Sequence, residues 1–135
     1  MVKTKTTYEG GLHCSMVHEP SGATLSTDAP VDNNGKGESF SPTDLVGAAL
    51  AGCMSTIMGI VAERKGINLE GMTVEVAKHM NAAPRRIGKL EVVITVPLPS
   101  DYPDRKLLEQ AALSCPVKHS LHPDIEIPIT WKWVG

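Results

Sequence analysis

FSPTDLVGAALAGCMSTIMGIVAERKG, residues 40–66, carries the start and the stop of one long helix in its own chemistry. Ser41 stands where an N-cap belongs, Pro42 follows at the first helical position, and Asp44 lies three residues after the cap. Phe40 and Leu45 are placed to staple the entry. At the other end Arg64 and Lys65 suit the negative pole of the helix, and Gly66 can take the left-handed conformation that closes it. A helix over Pro42 to Lys65 is about 36 Å long.

From Leu45 to Ala62 the stretch has no charged residue, but Gly47, Gly52, Ser55, Thr56 and Gly59 interrupt it. It just reaches the length of a membrane span. Its Ala- and Gly-rich composition and the mixed elements on either side argue instead for a helix buried in a core. Ala48, Gly52, Ser55 and Gly59 recur at helical spacing as a stripe of small side chains, along which another helix can approach closely.

Outward from the helix, short Thr- and Val-containing segments between residues 3 and 27, broken by Gly10-Gly11 and Pro20-Ser21-Gly22, predict two or three strands of an antiparallel meander. Asp28 to Ser39 is rich in Asp, Asn and Gly and reads as a loop. Met72 to Met80 and Lys89 to Val96 read as a strand pair joined by a turn over Asn81 to Arg86, with Val74, Val76, Leu90, Val92 and Ile94 inward. A second helix is expected near Pro103, with Leu107, Leu108, Ala111, Ala112 and Cys115 on or beside its apolar stripe. A last strand over Ile125 to Trp133 contains Pro128, which suggests an edge or a bulge. The chain of 135 residues and 14.4 kDa thus reads as a single α+β domain.

Thirteen basic and fifteen acidic residues leave a net charge of −2 without a run of like charge, which excludes a basic nucleic-acid footprint or a polybasic membrane patch. Only five residues are aromatic: Tyr8, Phe40, Tyr102, Trp131 and Trp133. Such a chain must fill its core with aliphatics, Met and Ala, and this thin core, together with the small-residue stripe, points to a second copy as the helix's neighbour. The start, MVKTKTTYEGG, lacks the apolar stretch of a secretory signal, so a cytoplasmic protein is expected.

Cys14, Cys53 and Cys115 form neither a dense disulfide framework nor a C-x-x-C pair. Cys115-Pro116 predicts a helix junction, where the amides near Val117 and Lys118, with Lys118 and His119 beside them, could stabilise a thiolate. The bland alternative makes Cys115 the last apolar residue of its helix. Cys53, taken alone, is a core cysteine on the face of Val46, Ala49, Leu50, Ile57 and Ile60. His13, Cys14 and His18 could be imagined as metal ligands, but alternation in a strand puts them on opposite faces, and no metal or other cofactor is expected. Nucleotide, esterase and zincin motifs are missing.

SPTDLVGAALAGC at residues 41–53 and CPVKHSL at 115–121 together resemble the OsmC/Ohr superfamily of osmotically inducible and organic hydroperoxide resistance proteins, and the likeness covers nearly the whole chain. The resemblance implies antiparallel sheets packed around a long central helix in an intertwined homodimer. It also implies a thiol-dependent peroxidase in which Cys53 attacks an organic hydroperoxide, Cys115 resolves the sulfenic acid to a disulfide, and an external dithiol reduces it. The chain departs from the family's dedicated peroxidases in two places: no arginine precedes Arg64, and Thr43 follows Pro42 where they carry glutamate. That places it nearer the OsmC-like branch. The rival reading is a non-catalytic dimer on the same scaffold, whose cleft holds an apolar small molecule with the cysteines as wall residues.

Overall fold

The computed structural model describes Met1 to Gly135, and the chain falls into two compact units, Met1–Val46 and Gly47–Gly135. In the first, β1 (Thr4–Gly10), β2 (His13–His18) and β3 (Thr24–Asp28) form an antiparallel sheet in the order β1-β2-β3. The meander therefore has three strands. Gly11 and Leu12, both at positive φ, make the first reversal between the paired Gly10 and His13, and Tyr8, Cys14 and Thr27 stand opposite one another across the sheet. The following loop contains a 3-10 turn at Val31–Asn33. Gly35 is obligatory there, because a Cβ at this position would fall on the Ala29 carbonyl. The Asp28 N–H then donates to the Phe40 carbonyl at 3.0 Å, which brings the chain back to the helix start.

Helix α1 (Pro42–Arg64) begins as its sequence predicts. The Asp44 N–H donates to Ser41 Oγ at 3.1 Å and the Ser41 N–H donates to Asp44 Oδ2 at 2.9 Å, a reciprocal capping box that satisfies two orphan amides. Ser41 is buried, so water cannot replace its hydroxyl. Ser41→Ala should therefore cost about 1–2 kcal/mol of stability, read as a lower urea midpoint at fixed protein concentration, with Ser41→Asp recovering most of it. At the far end the Ile67 N–H donates to the Ala62 carbonyl at 2.9 Å and the Gly66 N–H to the Glu63 carbonyl at 3.1 Å, with Gly66 at φ 66°. This pair of bonds is a Schellman motif.

The second unit carries the rest of α1 together with β4 (Thr73–Ala82), β5 (Arg85–Val96), α2 (Arg105–Leu113), α3 (Pro116–Ser120) and β6 (Ile129–Trp133). β4 and β5 form the expected antiparallel hairpin, longer than predicted because the ladder continues to Ala82↔Arg85. A register shift beside His79 and Met80 lets Ile87 and Leu90, three residues apart, both face inward. β6 is an edge strand, as Pro128 suggested, but it runs parallel to β5, from Val92↔Ile129 to Val96↔Trp133. It starts later than predicted. Before Ile129 an isolated parallel bridge at Lys89↔Glu126 persists, with the Glu126 N–H donating to the Gly88 carbonyl and the Leu90 N–H to the Glu126 carbonyl, and the Val92 N–H donates to the Pro128 carbonyl.

One stripe of α1 is buried: Gly47, Leu50, Met54, Met58 and Ala62. It joins Leu90, Val92, Ile94 and Val96 of β5 and Leu108, Ala111 and Ala112 of α2 in the core. Each fully buried Leu or Met in this set contributes about 1.5–3 kcal/mol. Gly47 lets the helix lie close on the sheet, since a Cβ there would stand 3.3 Å from Val76 Cγ1 and 3.7 Å from Leu90 Cδ2. One expectation needs correction. Of the face formed by Val46, Ala49, Leu50, Ile57 and Ile60, only Leu50 is buried. A helix apolar on all sides carries no periodicity to mark its inner face, and unbranched Met fills the irregular gaps above a sheet. Ala48, Gly52, Thr56 and Ile60 remain exposed on another side. By length and composition alone α1 could cross a membrane, but its Leu–Met stripe packs in the protein core.

Candidate thiol site

Cys53 lies near the middle of α1, half-buried beside the Leu50–Met54 stripe. Cys115 lies where α2 ends and α3 begins. It is the N-cap residue of α3, with extended backbone angles (φ −57°, ψ 122°) and Pro116 following it. The chain turns there because Pro116 cannot continue α2 but suits the first turn of a new helix. The Cys115 N–H donates to the Ala112 carbonyl at 3.3 Å, and the Cys115 carbonyl accepts the His119 N–H at 3.1 Å. Both of its backbone polar groups are thus engaged, and its side chain has no solvent exposure.

The fold brings the two thiols together, and both are free. Burial pushes the Cys115 thiol above its ordinary pKa, and contact with the Cys53 thiol pushes it the same way. The amides of Lys118 and Val117 face the sulfur and oppose the rise without overcoming it. They make no close capping hydrogen bond to it. Cys115 is therefore held protonated at neutral pH. Two adjacent thiols, one half-buried on a helix and one enclosed at a helix junction, form a pair that can be oxidised to a disulfide.

The remaining sequence candidates lie in the first unit. Cys14 lines a cavity there with Tyr8, Leu12, Thr27 and Pro42. His13 Nδ1 sits 2.6 Å from Asp28 Oδ1 and its Nε2 3.5 Å from Glu9 Oε1. The hydrogen bond to Asp28 raises the His13 pKa. His18 instead meets Ser21 Oγ at 2.6 Å. No three His, Cys, Asp or Glu side chains are grouped closely enough to hold a metal.

One side-chain cluster on α2 was not expected from the sequence. Glu109 Oε1 accepts from Arg105 Nε at 3.0 Å and from Trp133 Nε1 at 3.2 Å, while the Arg105 guanidinium lies 5.3 Å from the centre of the Trp133 ring. The four-residue spacing of Arg105 and Glu109 was a visible signal for the first bond, but nothing in the sequence announced a contact to a tryptophan 24 residues on.

A family profile described as OsmC-like protein matches residues 35–130. Among solved structures, a protein from Psychrobacter arcticus described as an osmotic stress induced and detoxification response protein is 46% identical, with a TM-score of 0.92 over 97% of this chain and 96% of that one. The organic hydroperoxide resistance protein OsmC from Legionella pneumophila superposes with a TM-score of 0.75 at 18% identity, covering 98% of this chain and 96% of its own. An organic hydroperoxide resistance protein from Elizabethkingia anophelis has a TM-score of 0.75, also at 18% identity, with 98% and 95% covered. The comparison with curated proteins finds no match. The profile spans both cysteine motifs, and the fold agrees over nearly the full length, so the chain belongs to the OsmC-like protein family.

Proposed function

We propose that the protein is a thiol-dependent reductase of organic hydroperoxides, with Cys53 as the peroxidatic and Cys115 as the resolving cysteine. The observation that carries this reading is the contact between the half-buried Cys53 thiol and the enclosed Cys115 thiol. In the first step the Cys53 thiolate attacks one peroxide oxygen and the O–O bond breaks. The alcohol leaves after taking a proton, and Cys53 becomes a sulfenic acid. In the second step the Cys115 sulfur attacks the Cys53 sulfur and the S–O bond breaks. Cys115 has first given up its proton as the thiolate, hydroxide leaves and takes that proton up as water, and the disulfide forms. An external dithiol then reduces it by two exchanges, becoming a disulfide itself. The uncharged run from Leu45 to Ala62 around Cys53 favours an apolar peroxide over hydrogen peroxide. The reading assigns the protein to the reducing cytoplasm.

It also assigns the exposed side of α1 to a second copy of the chain. A Cβ added at Gly52 or Gly59 would meet nothing within 4 Å, so these glycines are not required by packing within one chain. A homodimer that buries this side gives them a reason.

The raised Cys115 pKa sets a pH dependence. Resolution needs the Cys115 thiolate, and burial is the dominant cause of the rise. Below that pKa the thiolate fraction grows with pH. Disulfide closure should therefore accelerate by about tenfold per pH unit and keep rising past the ordinary thiol value of about 8.5. Stopped-flow tryptophan fluorescence after a hydroperoxide pulse measures it, and a plateau below pH 8 would contradict the assignment. The activity itself is tested by following tert-butyl hydroperoxide with dithiothreitol as reductant. Repeated turnover supports the reading, and no consumption above the protein-free rate overturns it in favour of the non-catalytic binding dimer.

A further inference from the structure

We propose that Glu109 is a positioning residue for Cys115, fixing the orientation of α2 so that the thiol at its end meets Cys53; this rests on the two-cysteine reading above. The apolar side of α2 consists of Leu108, Ala111 and Ala112, and two of the three are alanines. Low side chains of this kind anchor a helix to the core but resist tilting of its axis weakly. The polar side supplies what they lack. A single carboxylate oxygen of Glu109 receives both Arg105 Nε and Trp133 Nε1, which ties α2 to the edge strand β6. Arg105 extends the tie, with its guanidinium 5.3 Å from the centre of the Trp133 ring and Nη1 donating to the Ser100 carbonyl at 3.0 Å. Trp131 stacks on Trp133 from along the strand, with ring centres 6.3 Å apart. β6 is in turn held to β5 by five consecutive register pairs, Val92↔Ile129 to Val96↔Trp133, so the tie ends on a fixed element.

Cys115 follows Glu109 by six residues, a lever of about 9 Å at helical rise, and a swing of about 10° there moves the sulfur by about 1.5 Å. A disulfide tolerates little of this, because its Cα separation and torsion lie in narrow ranges. The carboxylate therefore acts on closure of the disulfide and not on the first attack by Cys53.

The test is equilibration of the full-length protein in glutathione redox buffers, with the Cys53–Cys115 disulfide quantified by mass spectrometry to give the effective concentration of one thiol toward the other. Glu109→Ala should lower it by about tenfold. Glu109→Gln, which keeps an acceptor oxygen, should recover part of the loss, and Trp133→Phe, which removes only the N–H donor and the indole bulk, should fall between. In a Cys115→Ser background the reaction of Cys53 with methyl methanethiosulfonate should be unchanged by Glu109→Ala. Should Glu109→Ala fail to fold by circular dichroism, Glu109→Gln and Trp133→Phe carry the measurement. A wild-type effective concentration in the folded variants overturns the inference, as does an equal loss in the Cys53 reaction, which would mean general loosening. A wild-type protein that forms no Cys53–Cys115 disulfide in any buffer overturns the two-cysteine reading itself, and the positioning role with it.

Discussion

Cys53→Ser lowers dithiol-dependent consumption of an organic hydroperoxide by about 10³-fold or more, to the protein-free rate, because no other group takes over as nucleophile. Cys115 cannot do so, since it is fully buried and its pKa is raised. Cys14 lines a cavity of the first unit in which no second cysteine takes part. Cys115→Ser should behave differently. The first peroxide equivalent is consumed, Cys53 gains one oxygen in mass, and further peroxide carries it to the sulfinic acid instead of to a disulfide. Intact-mass spectrometry separates the two variants. Equal rates of consumption in wild type and Cys53→Ser would remove Cys53 from the mechanism.

The second large effect concerns the open side of α1. Gly52→Leu should raise the dimer dissociation constant by about 100-fold, because a bulky side chain at a close helix contact must displace its neighbour. Within one chain the substitution has room: nothing stands within 4 Å of a Cβ at Gly52, and the glycine has no positive φ. Helix propensity alone would favour the larger residue. A loss of dimer with retained helicity, followed by sedimentation equilibrium and circular dichroism, therefore distinguishes an interface defect from a folding defect. An unaltered dimer would place the interface elsewhere.

Both ends of α1 were legible because their chemistry is local. Ser41, Pro42 and Asp44 can do little else in that order, and Gly66 after Arg64 and Lys65 supplies the one conformation that ends the helix. The junction at Cys115-Pro116 was legible for the same reason, since proline dictates the break. What lies between those points was not. The covered face of α1 is set by Val76 and Leu90 across the sheet, contacts that a uniformly apolar sequence cannot specify. The direction of β6 depends on the path through α2 and α3, and strand periodicity is the same for either direction. The meeting of Cys53 with Cys115 spans 62 positions, so it was implied by the resemblance of two motifs and not by spacing. The tie from Glu109 to Trp133 belongs to the same class: each residue has an ordinary surface explanation until the fold sets them 3.2 Å apart.

The most direct test of the two-cysteine cycle is to mix the fully reduced protein with one equivalent of an alkyl hydroperoxide, quench with an alkylating agent and map the cysteines by mass spectrometry. The account predicts that Cys53 and Cys115 disappear together as free thiols and reappear in one cross-linked peptide pair while Cys14 is alkylated as in the untreated protein. Recovery of Cys53 and Cys115 as unmodified thiols after prolonged exposure would contradict it.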